Sequence, residues 1–199
     1  MRIIDILENE EWIRAYDFYD DFINSSYFDM LKDSYDRLNY DILFKSHIHG
    51  RDHIERVILF VHILGFHYGL DSADMDVLRN AASLHDTKRV NDGWDTEHGD
   101  RAAKDSIKYS YADPKDERIL QAVIAAHAKD DKIIDEVIES FINEDDDFDR
   151  ALKLAKLFKD SDGLDRVRIN HLDPAYLRND YSKYLVDFAY ELFDRFKLD

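Results

Sequence analysis

The sequence predicts an all-α fold, a bundle of helices with a helical extension at its N-terminus. Glycine and proline are scarce, with 6 and 2 in 199 residues, so the chain has few strong turn signals. Apolar residues recur at the spacing of an α-helix over most of the chain. A strand-like apolar run at positions 57–61 lies inside a longer stretch of helical period. We therefore expect eight or nine helices joined by short loops.

The helical pattern divides one domain into three segments. Residues 1–40 are rich in Tyr, Phe and Asp and predict two or three amphipathic helices, which form the extension. Residues 46–168 predict the core of the bundle, and residues 169–199 predict a C-terminal helix. The acidic run at 144–149 predicts a solvated loop before the next helix. The aromatic extension is also a candidate interface for a homo-oligomer.

Composition and charge exclude several classes of protein. A formal net charge of −17 repels the phosphate backbone, so binding to polymeric DNA or RNA is not expected. Apolar runs are too short to cross a bilayer and the first residues do not resemble a signal peptide, so we expect a cytoplasmic protein without a membrane partner. Because cysteine is absent, a transition-metal site must use imidazole and carboxylate ligands, which suit Mn, Fe, Mg, Ni or Zn.

Four predicted helices each place a potential metal ligand at one end of an apolar stripe. His53 precedes apolar positions 57, 60 and 64, and His85, with Asp86 beside it, follows positions 75, 78 and 82. His127 follows positions 119 and 123, and Asp162 follows positions 151, 155 and 158. Side chains that continue an apolar stripe face the core. We therefore expect these groups to meet at one buried polar centre.

Burying so many ionisable groups is costly unless they bind a metal ion or pair with one another. Adjacent residues on a helix point about 100° apart, so His85 and Asp86 can hold one ion between them, or Asp86 can bridge two ions. A His-Asp pair alone is a weak signal. Its specificity comes from the histidine on an earlier helix and the aspartate on a later one.

Three local motifs in this order resemble the HD superfamily of metal-dependent phosphohydrolases. They are HGRDHIERV at 49–57, AASLHD at 81–86 and KDSDGLDR at 159–166, and the resemblance covers residues 46–168. Among the closing aspartates Asp162 fits the ligand position best, because Asp-x-Leu usually marks it. Asp160 and Asp165 are the alternatives, and Asp165 is expected to pair with an arginine instead.

The order of two further histidines, His98 and His127, resembles the two-metal branch of this superfamily. The resemblance implies that one ion is held by His53, His85, Asp86 and Asp162. It implies that a second ion is held by the bridging Asp86 with His98 and His127. Two such ions would lie about 3.5–4 Å apart. The resemblance also implies hydrolysis of a nucleotide or another small phosphate mono- or diester, with Asp86 and Arg89 as catalytic residues.

A phosphate substrate also needs basic side chains around the ions. The candidates that follow from proximity in the sequence are Arg51, Lys88, Arg89, Arg101, Lys104 and Arg166. Arg51 and Arg89 are favoured because they lie nearest to ligands. For each candidate the alternative is a weak surface salt bridge on an acidic protein. His47 and His49 are either pocket residues or packing groups, and His62, His67 and His171 are expected to be ordinary histidines.

Departures from known subfamilies leave the substrate open. The 5′-deoxynucleotidases and ppGpp hydrolases carry a glutamate at the position of Arg89. Cyclic-dinucleotide phosphodiesterases have a basic residue there, but their paired histidines and Gly-Tyr-Pro signature are missing, since Ala128 follows His127. The two-metal order also resembles that of HD hydrolases acting on diadenosine tetraphosphate.

Two other functions share the same ligand order. Some HD proteins are mixed-valence di-iron oxygenases. A non-enzymatic helical protein, with packed histidines or a single structural ion, is the third hypothesis.

Overall fold

The computed structural model describes residues 2–144 and 146–196, and it confirms the all-α prediction. Eleven α-helices and no β-strand are present in these ranges. The helices are α1 (Ile3–Asn9), α2 (Tyr19–Ile23), α3 (Ser26–Arg37), α4 (Arg51–Tyr68), α5 (Ser72–Leu84), α6 (His98–Asp105), α7 (Glu117–His127), α8 (Ile134–Glu139), α9 (Phe148–Leu164), α10 (Asp180–Tyr184) and α11 (Val186–Arg195). The expected eight or nine helices become eleven because α2, α8 and α10 have only five or six residues, too few to show a helical period.

The central helix is α4, which packs against α3, α5 and α9. Its residues from His53 to Gly65 are all buried, on every side of the helix, as expected for a helix in the middle of a bundle. It ends at Gly69, whose φ of 60° lies in the left-handed region that glycine adopts at low cost. The next helix in the chain, α5, can therefore turn back along α4.

The N-terminal extension packs against the C-terminal segment. The rings of Trp12 and Tyr16 lie 6.0 and 5.0 Å from the ring of Phe188 in α11, and the Tyr16 hydroxyl donates to Glu191 at 2.9 Å. Where the sequence predicted one C-terminal helix, the described residues form a 3-10 turn at Pro174–Tyr176 followed by α10 and α11. Within the described residues, no helix has both the length and the apolar character needed to cross a membrane.

His62 in α4 is fully buried and is a packing histidine, since both of its ring nitrogens have partners outside the predicted ligand set. Its Nδ1 donates to the carbonyl of Ile58 at 2.7 Å, and its Nε2 lies 3.2 Å from the hydroxyl of Ser34. Burial lowers the pKa of His62 to about 4, from 6.5. The folded protein therefore holds this imidazole neutral at pH values where the unfolded chain already binds a proton.

We expect His62 to make the protein less stable in mild acid. The contribution of His62 is fully present above pH 6.5 and is lost as the pH falls towards 4, because the unfolded chain is protonated first. Between pH 7.5 and 4.5 this loss amounts to about 2–3 kcal/mol. Urea unfolding of chelator-treated wild type and His62→Gln at both pH values isolates it, since all other titrations are shared. An equal loss of stability between pH 7.5 and 4.5 in the two proteins would rule out this contribution of His62.

Candidate metal centre

All six predicted metal ligands lie at helix ends on the same side of the bundle. His53 is in the first turn of α4, and His98 is the first residue of α6. His85 directly follows α5, with Asp86 after it, while His127 is the last residue of α7 and Asp162 lies in the last turn of α9. Carboxyl-terminal ends of helices carry partial negative charge. Three such ends, those of α5, α7 and α9, outnumber the two positive amino-terminal ends of α4 and α6, so the balance favours a cation at this place.

One half of the centre joins α4, α5 and α9. The Nε2 atom of His53 lies 3.1 Å from Nε2 of His85, and 3.4 Å from Oδ1 of Asp162. Oδ2 of Asp86 lies 3.4 Å from Nε2 of His53 and 3.8 Å from Nε2 of His85. The side chains of His53, His85 and Asp86 are buried, whereas 22% of the Asp162 side chain is exposed. This half therefore faces solvent on the side of Asp162.

The other half joins α6 and α7. The Nε2 atoms of His98 and His127 lie 2.8 Å apart, and they are 3.0 and 3.8 Å from Oδ1 of Asp86. The two oxygens of the Asp86 carboxylate thus face different pairs of histidines. Oδ2 faces the first pair of histidines, and Oδ1 faces the second pair. This is the arrangement expected of a carboxylate that bridges two ions.

Hydrogen bonds at the other ring nitrogen fix the tautomer of each histidine. Nδ1 of His85 and of His127 donates to the backbone carbonyl three residues earlier, at 3.0 and 2.5 Å, and Nδ1 of His98 donates to the carbonyl of Asp95. Nδ1 of His53 donates to Oδ2 of Asp165 at 2.7 Å. Carbonyl and carboxylate oxygens only accept, so the proton must be on Nδ1. In neutral imidazole, the form that binds metal, each Nε2 then presents a lone pair to the centre.

Lone pairs that face each other at 2.8 and 3.1 Å repel unless a cation lies between them. Two imidazoles bound to one metal ion at about 2.1 Å place their nitrogens about 3.0 Å apart at neighbouring positions of an octahedron and about 3.4 Å apart in a tetrahedral site. The spacing of both pairs thus fits a divalent ion, and imidazole with carboxylate suits the transition metals. The buried histidine and aspartate groups can therefore hold metal.

The pKa values keep His85, His127 and Asp86 in their metal-binding forms. Burial lowers the pKa of His85 to about 3 and also lowers the pKa of His127, so both rings are neutral near pH 7. For Asp86 burial would raise the pKa, but the nearby His85 and a hydrogen bond from His49 outweigh it and hold the pKa well below its usual value. Metal ions bind neutral imidazole and ionised carboxylate.

Two features bring His98 and His127 together. A Cβ atom at Gly99 would lie only 2.9 Å from the carbonyl oxygen of Ile124 in α7, so glycine lets α6 approach the end of α7 closely. The same end of α7 is held by the buried Lys159 of α9, whose Nζ donates to the carbonyls of Ala126 and Lys129 at 3.0 and 2.5 Å. Neither residue was singled out from the sequence for this role.

Asp165 is not a metal ligand but supports one, since it binds the ring nitrogen of His53 that points away from the centre. Besides accepting from Nδ1 of His53, its carboxylate is ion-paired with Nε of Arg56 and accepts from Nη2 of Arg56 at 3.1 Å. The expected pairing of Asp165 with an arginine is confirmed. The alternative ligand Asp160 is also placed elsewhere, since it accepts hydrogen bonds from the backbone and side chains of Arg178 and Asn179.

We expect Asp165→Asn to weaken metal binding by about 10–100-fold without changing any ligand. The amide has no charge to hold Nδ1–H of His53 and to stay paired with Arg56, so the imidazole becomes less basic and less well oriented. Competition with a fluorescent chelator measures the affinity. Asp160→Asn changes an equally buried carboxylate on the adjoining helix and should leave the affinity unchanged. Equal affinities for wild type and Asp165→Asn would contradict the supporting role.

Arg89 is the predicted basic residue that lies at the centre. Its Nε donates to Oδ1 of Asp86 at 2.9 Å, and its Nη1 lies 3.4 Å from the carbonyl of Gly93. The side chain is 11% exposed, so it contributes to the wall between the centre and solvent.

The other predicted substrate-binding residues have partners outside the ligand set. Arg51 is paired with Glu55 at 2.6 Å and lies over the ring of Tyr40, and Nε of Arg166 donates to the carbonyl of His171 at 3.3 Å. Arg101 donates to the carbonyl of Lys88 at 3.1 Å and to Asp95 at 2.5 Å, so it joins the two ends of the loop between α5 and α6. Lys104 is exposed on α6. The structure thus brings Arg89, and none of Arg51, Arg101 and Arg166, into contact with a ligand.

Two residues at the centre were missed or left undecided. Nδ1 of His49 lies 2.9 Å from Oδ2 of Asp86, so His49 is a pocket residue. Arg168 was not considered, yet its Nη2 lies 3.2 Å from Nδ1 of His49 and its Nη1 donates to the carbonyl of Asp165 at 3.0 Å. His47 is exposed, and His67 stacks on Tyr181 with ring centroids 3.5 Å apart, outside the centre.

No protein-family model, no curated protein and no solved structure matches this chain. The resemblance to the HD superfamily therefore depends on the sequence motifs alone. Any function proposed for the centre has to be argued from its ligands and their geometry.

Proposed function

We propose that the protein is a metal-dependent phosphohydrolase of the HD type that binds two divalent ions. The observation that carries this proposal is that the two carboxylate oxygens of Asp86 face different pairs of histidines. Oδ2 faces His53 and His85, and Oδ1 faces His98 and His127. A carboxylate shared by two pairs of lone-pair donors suits two ions about 3.5–4 Å apart. Such a pair stabilises both the attacking and the leaving oxygen in phosphoryl transfer.

The charges around the centre favour an anionic substrate. The carboxylates of Asp86, Asp162 and Asp165 lie near the guanidinium groups of Arg56, Arg89 and Arg168. These three carboxylates and three guanidinium groups carry equal and opposite charges. Each divalent ion then adds two positive charges inside a protein whose net charge is −17. A nucleotide or another small phosphate mono- or diester would be drawn to this local field.

When bound, divalent ions activate water as a nucleophile near neutral pH and neutralise charge on the phosphoryl oxygens. The protein holds the reacting groups in place. Asp165 orients His53, the backbone carbonyls orient the other three histidines, and Arg89 holds Oδ1 of Asp86. The partly exposed Asp162 marks the side from which substrate enters.

Metal analysis followed by an activity panel tests this proposal. Protein purified without chelator is analysed for bound metal and assayed on nucleotides, phosphomonoesters and phosphodiesters with added Mn, Mg, Fe, Ni or Zn. Phosphate or nucleotide release by the loaded protein, which is lost after chelation, is the expected result. Two irons with oxygen uptake and no ester hydrolysis would replace hydrolase with the oxygenase hypothesis. Failure to bind any metal would refute both.

A further inference from the structure

Arg168 is a buried cation that the metal centre and the fold leave incompletely paired. It lies in the 3-10 turn Asp165–Ile169 that follows α9, and only 6% of its side chain is exposed. Nη1 makes one good hydrogen bond to an acceptor, the carbonyl of Asp165 at 3.0 Å. Its buried Nε has no hydrogen-bond partner among the described residues. A buried guanidinium with an unused donor is costly for a residue that serves packing alone.

The nearest carboxylate is already occupied. Asp165 accepts from both Nε and Nη2 of Arg56 and from Nδ1 of His53, and Arg168 reaches its Oδ2 at only 3.5 Å. Arg56 thus makes two hydrogen bonds to the Asp165 carboxylate, whereas Arg168 makes only a long ion pair with it. At Asp165 two guanidinium groups therefore compete for one carboxylate, before any metal ion is added.

His49 shows the same mismatch from the other side. Its Nδ1 faces both Oδ2 of Asp86, at 2.9 Å, and Nη2 of Arg168, at 3.2 Å. A carboxylate only accepts hydrogen bonds and a guanidinium only donates them, so one ring nitrogen cannot bond to both. If Nδ1 donates to Asp86, Nη2 of Arg168 loses its partner. An additional acceptor beside Arg168 would resolve the conflict.

We propose that Arg168, with His49 beside it, binds one non-bridging oxygen of the phosphate group of the substrate, next to the ion held by His53 and His85. The guanidinium supplies charge-assisted donors, which suit phosphoryl oxygens best. Its position is suitable, because it belongs to the turn that begins directly after α9 and its positive charge lowers the pKa of Asp162, at the exposed side of the centre. This assignment rests on the proposed function, which it extends by naming a residue that recognises phosphate.

Titration of inorganic phosphate into the metal-loaded protein, followed by calorimetry, tests the assignment. Arg168→Met should bind phosphate at least about tenfold more weakly than wild type with unchanged metal content. Arg166→Met is the matched control, since Arg166 belongs to the same turn but is exposed and donates to the carbonyl of His171. It should bind phosphate as wild type does. Arg168→Lys, which keeps the charge without the planar fork, should be intermediate, and it decides the matter if Arg168→Met does not fold.

The outcomes separate this assignment from the proposed function. Wild-type phosphate affinity in metal-loaded Arg168→Met, or in Arg168→Lys if the former is unfolded, would overturn the role of Arg168 even if esters are hydrolysed. Loss of phosphate binding in the Arg168 variants together with an absence of ester hydrolysis by wild type would keep the anion site and overturn the hydrolase. A wild-type protein that binds no metal and no phosphate would overturn both.

Discussion

Replacement of Asp86 by asparagine is expected to remove bound metal and all metal-dependent activity, the largest effect of any single substitution in this chain. Asp86 is the ligand whose two oxygens face the two pairs of histidines. Asparagine keeps the size but loses the negative charge that both ions would share, which weakens both sites, and its amide nitrogen presents protons to one pair. A divalent ion cannot share that pair with an N–H donor. Far-ultraviolet circular dichroism should remain that of the wild type, because the helices are formed by apolar packing.

Asp160→Asn provides the opposite result and therefore the control. Asp160 is as buried as Asp86, but it accepts its hydrogen bonds from Arg178 and Asn179. Losing the carboxylate charge there should lower the free energy of unfolding by about 1–3 kcal/mol and leave the metal content unchanged. Metal analysis and thermal melts on both variants measure the contrast. Unchanged metal content in Asp86→Asn would show that the centre is assigned wrongly.

Four of the six ligands could be placed from the sequence because His53, His85, His127 and Asp162 each continue an apolar stripe. Asp86 was taken as the neighbour of His85, and His98 followed from the resemblance alone. A helix of 11–18 residues shows its period clearly, and α4, α5, α7 and α9 are of that length. Where such a stripe ends in a histidine or aspartate, the side chain must face the core at that end. Short helices give no such signal. For this reason the N-terminal and C-terminal segments were predicted only in outline.

The basic residues were harder to place because they were chosen by distance along the chain. Arg51 precedes His53 by two residues, which is about 200° around an α-helix, so it points away from the centre. Arg166 fails for a related reason. In the 3-10 turn Asp165–Ile169, residues three apart lie on the same side, so Arg168 faces as Asp165 does and Arg166 does not. The signal was present, but it required the type of turn to be known.

His127→Gln is expected to remove one ion and keep the other. His53, His85, Asp86 and Asp162 remain intact in this variant, whereas His98 loses the neighbour that lies 2.8 Å from its Nε2. A single ion forfeits several kcal/mol of charge stabilisation in the transition state, so the rate should fall by about two to three orders of magnitude. Metal stoichiometry and steady-state rates, measured on the same preparation, give both quantities.

His67→Gln is the matched control, because it changes a histidine that stacks on Tyr181 away from the centre. It should keep both ions and the wild-type rate. If His127→Gln lost both ions, the two halves of the centre could not bind separately, and Asp86 would have to be a ligand that acts only when both neighbours are filled. If the variant kept both ions, His127 would not be a ligand. The packing of α6 against α7 would then have to bring His98 and His127 together in the wild type without a metal ion between them. Their facing lone pairs would then need a proton between them, which burial of His127 opposes.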